Sequence, residues 1–191
     1  MGTRVFKRIP AIGACGLDCG LCPRYHTDGP SRCPGCAAEA YISPGCSVQR
    51  CCVKEHHMEC CAECPETQGC ARLDRVFKAA ATADSFISYL PVPANHRRIR
   101  ETGISKFARM QEERAAFLAE LLATYNDGRS KGFFCLAVQL LALDELQSVL
   151  GNLSDDLSRI SEMKGRTTLL RQAFSELASQ KGLTLKLRRR V

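Results

Sequence analysis

Apolar positions along the chain follow two regimes that meet near Leu73. From there on they recur at helical spacing. Val76, Ala80, Ala83, Ile87 and Leu90 predict a helix that begins at Leu73 and ends at Pro91. Residues 91–95 (Pro91-Val92-Pro93-Ala94-Asn95) read as a stiff linker, and Ile99-Arg100-Glu101-Thr102 as a short helix capped at Gly103. A long helix is predicted from Ser105 to Tyr125, with Phe107, Met110, Phe117, Leu118, Leu121 and Leu122 on its buried side; Asn126-Asp127-Gly128 stops it. Residues 132–142 are apolar nearly all round, which predicts a central helix, and 143–150 continue as a short one. Ser154-Asp155-Asp156 opens another helix with acids in its first turn. Gly165 interrupts, and a last helix is predicted from Thr167 to Gln180. Leu183-Thr184-Leu185-Lys186-Leu187 alternates, which suits a short strand or an extended tail.

Upstream of Leu73 the periodicity is lost. Residues 4–12 suit a short strand or extended arm. From residue 15 to residue 70 large apolar residues are few: Leu17, Leu21, Tyr25, Tyr41, Ile42, Val48, Val53 and Met58. A stretch so poor in aliphatic side chains cannot offset the entropy of its own ordering by burial. It holds twelve of the thirteen cysteines: Cys15, Cys19, Cys22, Cys33, Cys36, Cys46, Cys51, Cys52, Cys60, Cys61, Cys64 and Cys70. Disulfides or metal must therefore fix it.

Composition decides between these. No apolar run suits a signal peptide or a membrane span, so the chain reads as cytoplasmic, where disulfide frameworks are rare. Metal is the reading taken. Cys33-Pro34-Gly35-Cys36 and Cys61-Ala62-Glu63-Cys64 are tight two-residue turns that let both thiolates reach one ion at about 2.3 Å. Glycines beside Cys15 and Cys19 bring backbone amides towards sulfur. The adjacent pairs Cys51-Cys52 and Cys60-Cys61 cannot easily both ligate, so one member of each is a spectator. The fold class expected is mainly α: an irregular cysteine-rich metal-knuckle module over 1–72, then an all-helical domain over 73–191.

Cys15-Gly16-Leu17-Asp18-Cys19-Gly20-Leu21-Cys22-Pro23, then Cys33-Pro34-Gly35-Cys36, Cys46 to Cys51, and Cys61-Ala62-Glu63-Cys64-Pro65 to Cys70 resemble the domain-of-unknown-function 3795 family, a cysteine-rich group of bacteria and archaea. The resemblance extends weakly through Ile99–Ile104 and Gln111–Arg114. It implies a metal-binding module without an established reaction. Its ligands would be Cys15, Cys19, Cys22, Cys33, Cys36, Cys46, Cys51, Cys61, Cys64 and Cys70, with Cys52 and Cys60 as additions.

Zinc, two ions or more, is the default for all-thiolate sites, and [4Fe-4S] clusters are the alternative. Cysteine precedes proline at Cys22, Cys33 and Cys64, as in ferredoxin-like runs, and the stretch is poor in histidine. The spacing Cys15-x3-Cys19-x2-Cys22 matches the radical S-adenosylmethionine motif, but the helical remainder is too short for that enzyme's barrel. His56-His57 read as surface, and Cys135 as packing within an apolar helix. Asp18, Glu55 and Glu63 are the carboxylates a metal-assisted enzyme would use. None is a clear general base, so a binding module is preferred to an enzyme.

The formal charge is +7, and residues 76–191 carry +6 of it. Arg97-Arg98-Ile99-Arg100 and Arg188-Arg189-Arg190 are the basic clusters. They suit a solvated face or an acidic protein partner. Nucleic acid is the weaker reading, because no aromatic residues interleave with them.

Overall fold

A computed structural model describes residues 6–38 and 45–189 of the chain. It is mainly helical, with no strand among the described residues. The chain divides into two compact units, residues 1–113 with 187–191, and residues 114–186. The division does not fall at residue 72, because the two helices that follow the cysteines belong to the first unit.

In the first unit, residues 6–38 run as turns with one 3-10 turn, Cys19–Leu21. Helix α1 (Ser47–Gln49) runs on into a π-helical turn, Arg50–Glu55, and Cys61–Glu63 forms a second 3-10 turn. Helices α2 (Ala71–Thr82) and α3 (Val92–Thr102) follow, and α4 (Ile104–Tyr125) begins. Arg4 and Val5 of the expected N-terminal arm, and Arg190 of the terminal basic run, lie outside the described residues.

The apolar core of this unit mixes many small side chains with a few large ones. One cluster buries Ala14, Ala37, Val48, Cys52, Val53, Cys61 and Leu73. Another buries Ile12, Cys60, Ala62, Ile99, Phe107 and Ala108. Cysteines fill places that aliphatic residues hold in ordinary cores.

Three expectations for this region fail. The helix from Leu73 ends at Thr82 rather than Pro91, because Asp84 organises a turn of its own. Its Oδ1 accepts from Ser88 Oγ (3.1 Å) and Tyr89 N–H (2.9 Å). Residues 91–95 are not a linker but the start of α3. Pro91 stands at the cap and Pro93 in the first turn, where no intrahelical N–H is needed. The short helix over 99–103 is therefore the end of a longer one, though Gly103 does close it, at φ 81°.

Asp84 also ties down the C-terminal tail. The Arg188 guanidinium donates to Oδ1 (2.7 Å) and Oδ2 (3.1 Å), and the backbone N–H of Arg188 donates to Oδ2 (2.8 Å). Burial alone would raise the Asp84 carboxyl, but the Arg188 side chain and amide, with the Tyr89 amide, outweigh it and hold it at about 2. A depressed carboxyl stabilises fully above its ordinary value near 3.8 and loses that contribution as pH falls towards 2. Arg188 is partly exposed, so the pair contributes about 1–2 kcal/mol after screening. Asp84→Asn should release the tail at neutral pH, read as faster amide exchange at Arg188. In the native chain the same release should appear only below pH 4. Equal exchange in both proteins at pH 7 would refute the tie.

The second unit holds the rest of α4 with α5 (Lys131–Leu140), α6 (Leu143–Asn152), α7 (Ser154–Arg159) and α8 (Met163–Gln180). Its core is conventional: Leu118, Leu121, Phe134, Cys135, Leu146, Leu170 and Phe174 are buried, with Phe134 and Phe174 edge to face. Cys135 is fully buried in α5. Arg114 crosses from α4 to donate to the carbonyls of Val138 and Leu141 at the end of α5. Gly165 lies inside α8 rather than breaking it; a Cβ there would stand 2.7 Å from Ile160 Cγ2, so it is a packing glycine. The alternating run at 183–187 forms no strand. Leu183 N–H instead bonds back to Ala178 O (2.9 Å) and closes α8.

Candidate metal centre

Backbone hydrogen bonds between distant segments bring the cysteines together. In the opening loop, Gly13 N–H bonds to Leu17 O (2.6 Å), Gly16 N–H to Gly13 O (2.8 Å) and Gly20 N–H to Ala11 O (2.7 Å). This winds Cys15 and Cys19 round one turn. The Cys33–Cys36 knuckle docks on the N-terminal segment: Cys36 N–H donates to Pro10 O (2.8 Å) and Lys7 N–H to Ala37 O (2.9 Å). Ala14 N–H donates to Cys36 Sγ at 3.3 Å, and Cys61 N–H to Ala14 O at 2.8 Å. Residue 14 thus ties Cys36 and Cys61, from two distant parts of the stretch, to the opening loop.

Helix α3 braces this loop. Asn95 Nδ2 donates to Gly16 O (2.9 Å) and to Asp18 Oδ1 (2.8 Å), and His96 Nε2 bonds Cys15 O (3.0 Å). Both side chains are buried. His96 packs edge to face on Phe77 (5.5 Å between centroids), and Gly16, at φ 83°, leaves room for its ring. Sequence reading missed both residues. Asp18 thus accepts from Asn95, and Glu63 accepts from Cys60 N–H (3.0 Å) in a cap.

Electrostatics divides the thiols into two nests. Upstream, burial and then the charge of Cys36 raise the Cys15 thiol to about 12, with further contributions from Cys60 and Cys46. Burial, then Cys36 and Cys15, push Cys19 well up. Tyr89 senses the same group: burial and the charges of Cys15, Cys19 and Cys46 raise its phenol. Cys15, Cys19, Cys36 and Cys46 form this nest. Cys22 and Cys33 are neighbours at its edge, where burial and then Cys33 raise Cys22 against opposing backbone amides.

Downstream, Cys51, Cys52, Cys61, Cys64 and Cys70 line one cavity of about 550 Å³. Arg72 Nη1 donates to Cys51 Sγ at 3.2 Å. Thr67 Oγ1 donates to the carbonyls of Cys61 and Cys64 and shapes the second knuckle. Cys52 and Cys61 share a hydrogen bond. A hydrogen bond to Cys61, then burial, keeps the proton on Cys52, and the same bond holds the Cys61 thiol below its ordinary value. Cys52 is buried and also donates to Met58 O (3.5 Å); Cys60 is buried, with its sulfur accepting from Ala62 N–H (3.5 Å).

His56, expected as plain surface, is exposed but grouped. The ligand atoms of Cys51, Glu55 and His56 all lie within 4.8 Å of one another, a group suited to a metal ion. The π-helical turn creates this group by setting residues 51, 55 and 56 on one side, a feature common at functional sites. Among the described residues no three cysteine thiols come that close together. No disulfide joins any of the cysteines.

No protein-family model, curated protein or solved structure matches this chain. No helix of the described residues is long and apolar enough to cross a membrane.

Proposed function

We propose that this chain is a metal-binding protein whose cysteine-rich segment is held by two thiolate centres, one on Cys15, Cys19, Cys36 and Cys46 and one in the cavity lined by Cys51, Cys61, Cys64 and Cys70. One observation carries the reading: cysteines distant in sequence gather, with Cys15 and Cys19 in an upstream group where neighbouring thiolate charge and burial oppose their ionisation, and Cys51, Cys61, Cys64 and Cys70 around one cavity. Thiols so placed stay protonated at neutral pH unless a cation compensates them, and a bound metal is that cation. The donor set fits: soft sulfur, amides directed at sulfur, and an arginine beside Cys51. If the resemblance of its cysteine spacing to the domain-of-unknown-function 3795 family holds, it would imply the same kind of centre.

Zinc would make these centres structural, and the helices would then present a binding surface. A single zinc draws its four sulfurs to about 3.8 Å from one another, from tetrahedral bonds of about 2.3 Å. The wider spacing of the thiols favours a second reading, a [4Fe-4S] cluster in each nest, because each cluster thiolate binds a different iron. On that reading the protein carries electrons.

Single cysteine variants test the ligand set. Cys61→Ser should remove the downstream centre, about half the metal per chain. Cys52→Ser should keep the metal, because Cys52 supplies a proton to a ligand rather than a thiolate. Equal metal loss in both variants would overturn the assignment.

A further inference from the structure

The π-helical turn Arg50–Glu55 closes with His56 N–H on Cys51 O at 3.0 Å. In an α-helix, residue 56 would lie about 140° round the axis from residue 51. The wider turn instead sets Glu55 and His56 together beside Cys51. The Cys51 sulfur, a Glu55 carboxylate oxygen and a His56 ring nitrogen lie within 4.8 Å of one another. Glu55 and His56 are exposed, and Cys51 is half-buried. Cys51 and His56 also line the cavity of about 550 Å³ that Cys61, Cys64 and Cys70 share. Three different donor types therefore converge at the mouth of that cavity, where a further ligand has room to enter. Arg72 Nη1 donates to Cys51 Sγ at 3.2 Å, the kind of outer contact that orients a ligating thiolate.

We propose that Cys51, Glu55 and His56 form an additional, exchangeable site for a borderline divalent cation such as zinc, at the mouth of the downstream cavity. Sulfur, imidazole and carboxylate together suit zinc, whereas magnesium and calcium take oxygen ligands. Three protein ligands leave a coordination position to water, as in catalytic rather than closed structural zinc sites. The local geometry carries this site, so it stands whether or not the two thiolate centres form. Only the sharing of Cys51 with the downstream centre rests on that reading. A thiolate has lone pairs for two cations, and four thiolates on one divalent ion leave a net negative charge that attracts a second cation. Exposed and one ligand short, the site exchanges its ion faster than a closed four-thiolate centre does.

The test uses the full chain purified without oxygen, with its resident metal, after a wash in citrate, a weak chelator that strips exposed ions. Zinc is titrated in by calorimetry, resident metal is measured by elemental analysis, and folding is checked by circular dichroism. One further zinc ion per chain should bind. Glu55→Gln and His56→Asn should each weaken it on the order of ten- to a hundredfold, since losing a ligand costs at least as much as losing a ligand's hydrogen-bond partner. Resident metal should not change in either. His57→Asn is the control: His57 is the adjacent exposed histidine, at φ 54°, a conformation asparagine tolerates, and it should bind zinc as the native chain does. Cys51 is left in place, because its loss would also reach the downstream centre. No further ion, native affinity in His56→Asn, or an equal loss in His57→Asn would overturn the proposal. A chain without resident metal that still binds one zinc ion, weakened in His56→Asn, would sink the two-centre reading and leave this site standing.

Discussion

Chelation of the metal should unfold residues 15–70 while the helices of residues 114–186 stay folded. Ordering each residue costs about 1–2 kcal/mol, and fully burying a valine or leucine returns about 1.5–3. The clusters beneath the cysteines bury Ala14, Ala37, Val48, Val53 and Leu73 in one group and Ile12, Ala62 and Ile99 in the other, and Leu21 is buried too, a modest total for so long a stretch. That burial cannot balance the ordering of the whole stretch. Structural metal in small thiolate sites contributes roughly 10 kcal/mol, so here binding energy is folding energy. Residues 114–186, with Leu118, Leu121, Phe134, Leu146, Leu170 and Phe174 buried, have a core of their own. Trypsin provides the readout, since Arg24, Arg32, Arg50 and Lys54 punctuate the segment. Cleavage there should accelerate on the order of a hundredfold after chelation. Most of the helical circular dichroism should remain. A chelated chain still protected at Arg50 and Lys54 would mean that packing alone holds the segment.

The second large effect is expected at Gly35. Its φ is 101°, and a Cβ there would stand 2.4 Å from Pro10 O and 2.7 Å from Pro10 C, both backbone atoms that cannot step aside. Pro10 O is also the acceptor for Cys36 N–H. Gly35→Ala therefore combines backbone strain of about 1–2 kcal/mol with a clash of about 1–3 kcal/mol, and it lifts the knuckle from its seat. The upstream centre should lose its metal, and denaturant stability of the first unit should fall by about 3 kcal/mol. Gly29→Ala is the control. Its φ is 81°, but nothing lies within 4 Å of the added carbon, so only the strain of about 1 kcal/mol remains. Equal losses at Gly35 and Gly29 would show that the docking on Pro10 is unimportant.

The sequence was most legible where one physical rule acts alone. The long helix ending at Tyr125, the apolar helix that became α5 and the acidic start of α7 all follow from periodicity and end signals. Reading failed where a tertiary contact overrides the local pattern. Ile87 and Leu90 keep helical spacing, yet Asp84 is committed to Arg188, more than a hundred residues on, and turns the chain away. Gly165 reads as a break because its neighbour Ile160 is invisible to a local window. The proline-rich run at 91–95 was read by stiffness alone, although proline also suits a first helical turn.

The cysteine stretch shows the same division. The turns at Cys33–Cys36 and Cys61–Cys64 are local, though Cys33 stands beside Cys22 at the edge of the upstream nest. The nests join Cys15 to Cys36 and Cys46, a grouping that depends on bonds from Ala14, Pro10 and Lys7. Asn95 and His96 gave no signal, since a buried amide and imidazole on a basic helix look like surface. Lys7, which is buried, lies in a segment read only as a short strand or extended arm. His56 was discounted because the π-helical turn that carries it beside Cys51 has no signature in the sequence.

The measurement that tests the central claim most directly is metal and acid-labile sulfide per chain, with an absorption spectrum, on protein purified without oxygen. The account predicts two thiolate-bound centres per chain. Iron with matching sulfide and a broad band near ~400 nm would make them clusters. Zinc near two per chain without visible absorbance would make them structural sites. Folded protein with neither metal nor sulfide, and with the cysteines of both nests open to thiol reagents, would contradict it.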